Sequence, residues 1–182
     1  QPLTFPWDTT GVTLGEYIIS ANATTVPEET DTTDNTYIDL TITVKGNPVA
    51  AFNYSPTKPV VNQPVTFDAS ESTPNGGTIE TYRWVFGDGN STGASIGYKV
   101  TTNVYVNPGT YNVTLTVEDS EKFEGEYLTD TTWQLITVYW RDVALINVTA
   151  SPTAVNKTES VFINVTVTNK GGLSETFNVT MY

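Results

Sequence analysis

Carboxylates and asparagines are the side chains of this 182-residue chain with the best claim to chemistry. Histidine and cysteine are both absent, which removes imidazole bases, thiolate nucleophiles, disulfides and nearly every zinc or copper site. The densest set of oxygen donors is the segment PEETDTTDN, where Glu28, Glu29, Asp31, Asp34 and Asn35 stand within eight residues. Calcium takes six to eight oxygens from such clusters, so this loop is a candidate structural calcium site. No other cofactor is expected. The spacing is not that of an EF-hand, and a solvated acidic turn between two strands is the competing reading. Asp68 and Asp88 sit in turn-forming contexts and are read as turn and cap acceptors, with calcium ligation as the alternative. Nothing in the spacing brings two carboxylates to the two sides of a cleft, and no serine has a histidine partner or a lysine at a telling distance. The chain is therefore expected not to be an enzyme.

Eight asparagines open N-x-[ST] sequons: Asn22, Asn53, Asn90, Asn112, Asn147, Asn156, Asn164 and Asn178. Chance placement of 15 Asn among 44 Ser and Thr would give roughly 3 to 4. The excess points to N-linked glycans and to an extracellular or cell-surface location. Asn112, Asn164 and Asn178 lie inside strand-like patterns, so each must face solvent on an alternating strand. A chain that opens on Gln1 is expected to have lost a signal peptide or a longer upstream part.

Acidic residues outnumber basic ones 20 to 8, for a net charge of −12. Phosphate backbones and anionic lipid are bound by Lys/Arg clusters, so nucleic acid is not an expected partner. The longest apolar run is far short of the ~20 residues that span a bilayer, and no membrane insertion is expected of this segment.

The elements that must position these residues are strands. Tyr17 to Ile19, Tyr37 to Val44, Val65 to Phe67, Tyr111 to Val117, Trp133 to Val138 and Val161 to Val167 alternate apolar residues with Thr or Asn. Clusters of Gly, Pro, Asn and Asp separate them. No window carries a 3.6-residue period. The fold class is all-β, and short strands at regular spacing favour a sandwich. Trp84 and Phe86, two apart, point the same way into a core with Phe67. Trp133 is expected there too, and Trp7 and Trp140 near domain junctions.

The middle of the chain carries three motifs: VTFDAS (Val65 to Ser70), YRWVFGDGNST (Tyr82 to Thr92) and VNPGTYNVTLTVEDS (Val106 to Ser120). In type and order they resemble a PKD domain, an immunoglobulin-like sandwich common in bacterial and archaeal surface proteins. The resemblance covers about ninety residues and makes Tyr111 a corner residue at the entry to a late strand. Val85 stands where the family has an aspartate, and no histidine precedes the Tyr105 region. Both departures count against a polar site there.

The flanks resemble two parts of one further domain. Residues 141–182, with TVTNKGG closing their second strand, resemble the opening of a CARDB-type adhesion-related domain. Residues 1–46, with LGEY and VPEETDTTDN, resemble its close. Together they hold 88 residues, near the ~100 of an immunoglobulin-type sandwich. The expected organisation is thus 1–46 as a C-terminal half-sandwich, 47–140 as the complete PKD-like sandwich, and 141–182 as an N-terminal half-sandwich.

Half a sandwich exposes an apolar face that something must cover. Three arrangements do so: successive copies in a longer covalent repeat, strand complementation between separate chains, or closure of both halves within one chain. The first two make copies of the chain its own head-to-tail partners, in a filament, stalk or surface layer. The resemblance, with frequent sequons and no cysteine, leans archaeal. An adhesion or polysaccharide-binding module is the alternative, and would present a planar row of exposed rings.

Overall fold

The computed structural model describes residues 2–123 and 125–180. Ten strands and one 3-10 turn are found there, with no α-helix among the described residues. The fold is all-β and immunoglobulin-like. Its centre is a sandwich of two antiparallel three-stranded sheets. One contains β3 (Asn53–Ser55), β4 (Pro64–Asp68) and β6 (Val100–Val104), in the order β3-β4-β6. The other contains β5 (Ile79–Val85), β7 (Gly109–Phe123) and β8 (Glu126–Val138), in the order β5-β7-β8. A two-stranded ribbon lies on each side in sequence: β1 (Gly15–Asn22) with β2 (Thr36–Val44), and β9 (Val143–Ser151) with β10 (Phe162–Asn169).

Alternation along the central strands decides what is inside. Val65 and Phe67 of β4, Tyr82 and Trp84 of β5, Val113, Leu115 and Val117 of β7, and Ile136 and Val138 of β8 are all buried in one core. Trp84 is its hub. Its ring lies 5.0 Å from Phe52 and 5.6 Å from Phe67, and Phe67 in turn lies 5.3 Å from Phe86. A fully buried indole leaves one polar atom to satisfy, and Trp84 Nε1 donates to the Tyr98 carbonyl at 2.8 Å. Tyr105, also fully buried, donates its hydroxyl to the Phe86 carbonyl at 3.1 Å; burial pushes that hydroxyl's pKa up to about 12. Half-buried Tyr111 packs 4.4 Å from Tyr105 and donates to the Asn107 carbonyl at 2.8 Å, the corner geometry that ties a late strand to its preceding bend.

The turn after Trp84 and Phe86 depends on its glycines. Gly87 and Gly89 have φ of +81° and +96°, a region side chains avoid. A Cβ on Gly87 would also stand 2.8 Å from the Asn112 carbonyl oxygen.

Trp133 departs from expectation. It is 60% exposed because β8 turns Gln134, Ile136 and Val138 inward and Trp133, Leu135 and Thr137 outward. Apolar residues at both 135 and 136 leave the phase of this strand open in the sequence, and pairing with β7 settles it.

Trp84→Ala should cost about 3–5 kcal/mol, whereas Trp133→Ala in the unglycosylated chain should cost under about 1 kcal/mol. Urea unfolding of the two variants checks the ordering, and the reverse order would contradict this inside-out assignment.

Candidate functional site

The two ribbons are built alike. In the first, Tyr17 pairs with Ile42, Ile19 with Leu40 and Ala21 with Tyr37, all on one face. The register slips between Ile19 and Ser20, leaving Asp39 as the extra residue of a bulge. A bulge re-aims everything beyond it, and here it brings Tyr37 onto the same face as Leu40. The opposite face pairs Glu16 with Thr43, Ile18 with Thr41 and Asn22 with Thr36. In the second ribbon, Ile163 pairs with Ala150, Val165 with Val148 and Val167 with Leu145. Here the bulge residue is Ile146, between the Asn147 and Leu145 pairings. The other face carries two sequons in direct mutual register, Asn147 opposite Thr166 and Asn164 opposite Thr149.

Each ribbon thus has one face richer in apolar residues and another that bears sequons, although in the first ribbon Ile18 and Ile38, the latter paired with Ser20, lie on the sequon face. Neither apolar face is covered by a second sheet. Leu40 is 60% and Val148 54% exposed, and no strand of either ribbon pairs with the other ribbon. Trp7 reaches the first face, its ring edge-on to Tyr17 at 5.4 Å. At the second face, Val143, Leu145, Val167, Phe177 and Val179, with Asn178 and Thr180, line a shallow cavity of about 210 Å³.

The junctions to the central sandwich are tied by short backbone bonds. Gly46 N donates to the Asn75 carbonyl at 3.1 Å, Asn75 Nδ2 donates to the Asn47 carbonyl at 2.9 Å, and Lys45 pairs with Glu121. On the other side, Lys170 N donates to the Asp142 carbonyl at 2.8 Å and Gly172 N to the Trp140 carbonyl at 2.9 Å. A Cβ on Gly171 would meet Asp142 N at 2.7 Å, so this clip needs glycine. Trp140 sits at this junction and is 43% exposed.

The acidic loop does not gather its carboxylates. Glu29 Oε2 accepts from Val26 N at 3.0 Å, and Asp31 Oδ1 accepts from both N and Oγ1 of Thr33. These are local turn bonds, and they hold the Asp31 carboxyl below its usual pKa. Glu28 and Asp34 are exposed and Asn35 half-buried. Among the described residues no three His, Cys, Asp or Glu side chains are grouped to hold a metal ion, and of Glu28, Glu29, Asp31, Asp34 and Asn35 it is Glu29 and Asp31 that make the local bonds of a solvated acidic turn.

Asp68 Oδ1 accepts from Ser70 N at 2.8 Å. Asp88 sits in a fuller network: Oδ1 accepts from Asn90 N at 2.9 Å, and Oδ2 from Asn103 Nδ2 at 2.7 Å and Asn90 Nδ2 at 3.0 Å. All eight sequon asparagines are exposed; Asn112 and Asn164 lie inside strands as expected, whereas Asn178 lies beyond β10, outside any strand. At Asn90 and Asn22 the amide nitrogen is already engaged, by Asp88 Oδ2 and by Thr36 Oγ1.

Residues 45–133 match the family model of the PKD domain. No curated protein sequence matches the chain. Among solved structures, one similar chain is a carbohydrate-binding module of the β-sandwich superfamily studied for its promiscuous specificity. It is 28% identical with a TM-score of 0.47, over 68% of this chain and 55% of that one, so the present chain spans about half its length. Two others are PKD1 domains: that of Vibrio anguillarum Epp (26% identity, TM-score 0.42, 52% of this chain and 96% of that one) and that of the Vibrio cholerae metalloprotease PrtV (33%, 0.39, 50% and 96%).

The Asp88 network makes a pH prediction. Burial pushes this carboxyl's pKa up, but the bonds from Asn103 and Asn90 outweigh it and hold it below the usual aspartate value. A depressed folded-state pKa contributes stability that is present above the unfolded pKa of ~3.9 and is lost as pH falls through the folded value. Asp88→Asn should therefore cost about 1–3 kcal/mol near neutrality, and the gap from wild type should narrow at about pH 3. Urea midpoints at the two pH values test this, and a gap of constant size would contradict it.

Proposed function

We propose, from the match of residues 45–133 to the PKD-domain family model, that the chain is a structural segment of an extracellular filament, stalk or surface layer. Units join head to tail where the β9–β10 ribbon of one copy completes a sandwich with the β1–β2 ribbon of the next. On this reading residues 1–46 and 141–182 are the closing and opening halves of one CARDB-type sandwich. The observation that carries the proposal is the pair of apolar ribbon faces, neither with a second sheet over it, on either side of a finished sandwich. An exposed face of this kind marks an interaction surface.

A second copy is the occupant that fits. The four ribbon strands are 8, 9, 9 and 8 residues long, so the two faces match in extent. The sequons within the ribbon strands, Asn22, Asn147 and Asn164, sit on the face turned away from the contact, whereas Asn178 stands beside the cavity on the β9–β10 apolar face. A net charge of −12 per unit opposes side-by-side association and leaves the apolar ends as the favoured contact. A heterologous contact that does not close generates a line. The same junction serves separate chains and a longer covalent repeat.

A polysaccharide-binding module is the second reading, and exposed Trp133 favours it. The rings do not form a row, however: Trp84 is buried in the core and Trp7 packs on Tyr17.

Leu40→Asp and Val148→Asp each spoil one ribbon face, and sedimentation velocity reads the result. Wild type should form a concentration-dependent series of linear oligomers and each variant should be monomeric. Mixing the two variants should give dimers only, because one intact face of each kind remains. Self-association of either variant alone would contradict head-to-tail pairing, and a wild type that stays monomeric at high concentration would remove the proposal.

A further inference from the structure

The outward face of the β5-β7-β8 sheet is largely threonine, with cross-strand pairs such as Thr116 with Thr131 and Thr110 with Thr137. One patch breaks the pattern. Trp133 and Leu135 are each 60% exposed and, two apart on β8, point the same way. Val85, 41% exposed, shares a row with Trp133 across β7. The strand between them carries the sequon Asn112-Val113-Thr114. The register sets Asn112 opposite Leu135 and Thr114 opposite Trp133. On the other flank of Asn112, Gly87 lies against the Asn112 backbone and brings no side chain to crowd it.

We propose that Trp133 and Leu135 form the seat of the chain's own N-linked glycan at Asn112. The C–H-rich face of its first pyranose rests on the indole and the leucine. Directly opposed residues of an antiparallel pair have Cβ atoms ~5 Å apart and diagonal ones ~7–8 Å, so both side chains lie within one sugar ring of the asparagine. A flat, polarisable indole offers a π face to such C–H groups, and covering it removes an apolar patch from the surface. The other strand-paired sequons lack this feature: Asn22, Asn147 and Asn164 face Thr36, Thr166 and Thr149, and Asn53 faces Asp68. Asn112 is the one set against an apolar pair.

The inference rests on the sequons carrying glycans, and the experiment separates the two. Wild type, Asn112→Gln, Trp133→Thr and the double variant are made in an N-glycosylating host. Peptide mass reads occupancy at Asn112, and acrylamide quenching of tryptophan emission reads the cover over Trp133, with each Trp133→Thr partner isolating that residue's signal. Glycosylated Asn112 should shield Trp133. Asn112→Gln should raise its quenching and lower the thermal midpoint, and the loss of midpoint should vanish in the Trp133→Thr background. Asn164→Gln, on the distant ribbon, should leave Trp133 quenching unchanged. An occupied Asn112 with no change in quenching and no coupling overturns the seat while the glycosylation reading stands. A bare Asn112 overturns both at this sequon, and shielding of Trp133 by added soluble polysaccharide in that bare chain would assign the patch to an external sugar instead.

Discussion

A two-stranded antiparallel ribbon buries almost nothing by itself, since each strand has one neighbour and each face needs a second layer. Both ends of this chain are such ribbons. The apolar pairs Tyr17–Ile42, Ile19–Leu40, Val165–Val148 and Val167–Leu145 require a partner layer that neither ribbon supplies. Much of what lies outside the central sandwich follows from this requirement. The bulge at Ile146 brings Leu145 onto the face of Val148, the bulge at Asp39 brings Tyr37 onto the face of Leu40 while sending Ile38 to the other, and the strand sequons sit on the opposite faces.

The centre has no such need. Its two sheets close around Trp84, Phe52, Phe67 and Phe86, and the polar tips of Trp84 and Tyr105 are satisfied by backbone carbonyls. Backbone bonds meet this core at both ends: Gly46 N donates to the Asn75 carbonyl on one side, and on the other Tyr139 is bonded to Pro59 and Val61, while Gly171 and Gly172 clip the second ribbon to Asp142 and Trp140.

The sequence made the centre legible because its chemistry is local. Trp84 and Phe86 two apart, GDGN behind them and PGTY before β7 each specify strand phase or turn geometry within a few residues. Trp133 was not legible, because Leu135 and Ile136 offer β8 two phases and only pairing with β7 chooses between them. The bulges were hidden for a similar reason: an unpaired residue is defined by its partner strand. The acidic loop was legible only as composition, which counts carboxylates without showing that Glu29 and Asp31 bond to their own turns. Strand sequons told which face is outward, but not that Asn147 and Asn164 stand in mutual register or that Asn112 faces Leu135.

A chain without cysteine permits a direct test of the split sandwich. Leu40→Cys and Val148→Cys introduced together place one thiol on each ribbon face, and a bismaleimide of ~10 Å reach matches the spacing of packed sheets. Head-to-tail completion predicts a denaturing-gel ladder of linear multimers from the double variant and at most background dimers from either single one. A cross-link confined to the monomer, joining both thiols of one chain, would show that the two halves close on each other and would contradict the account.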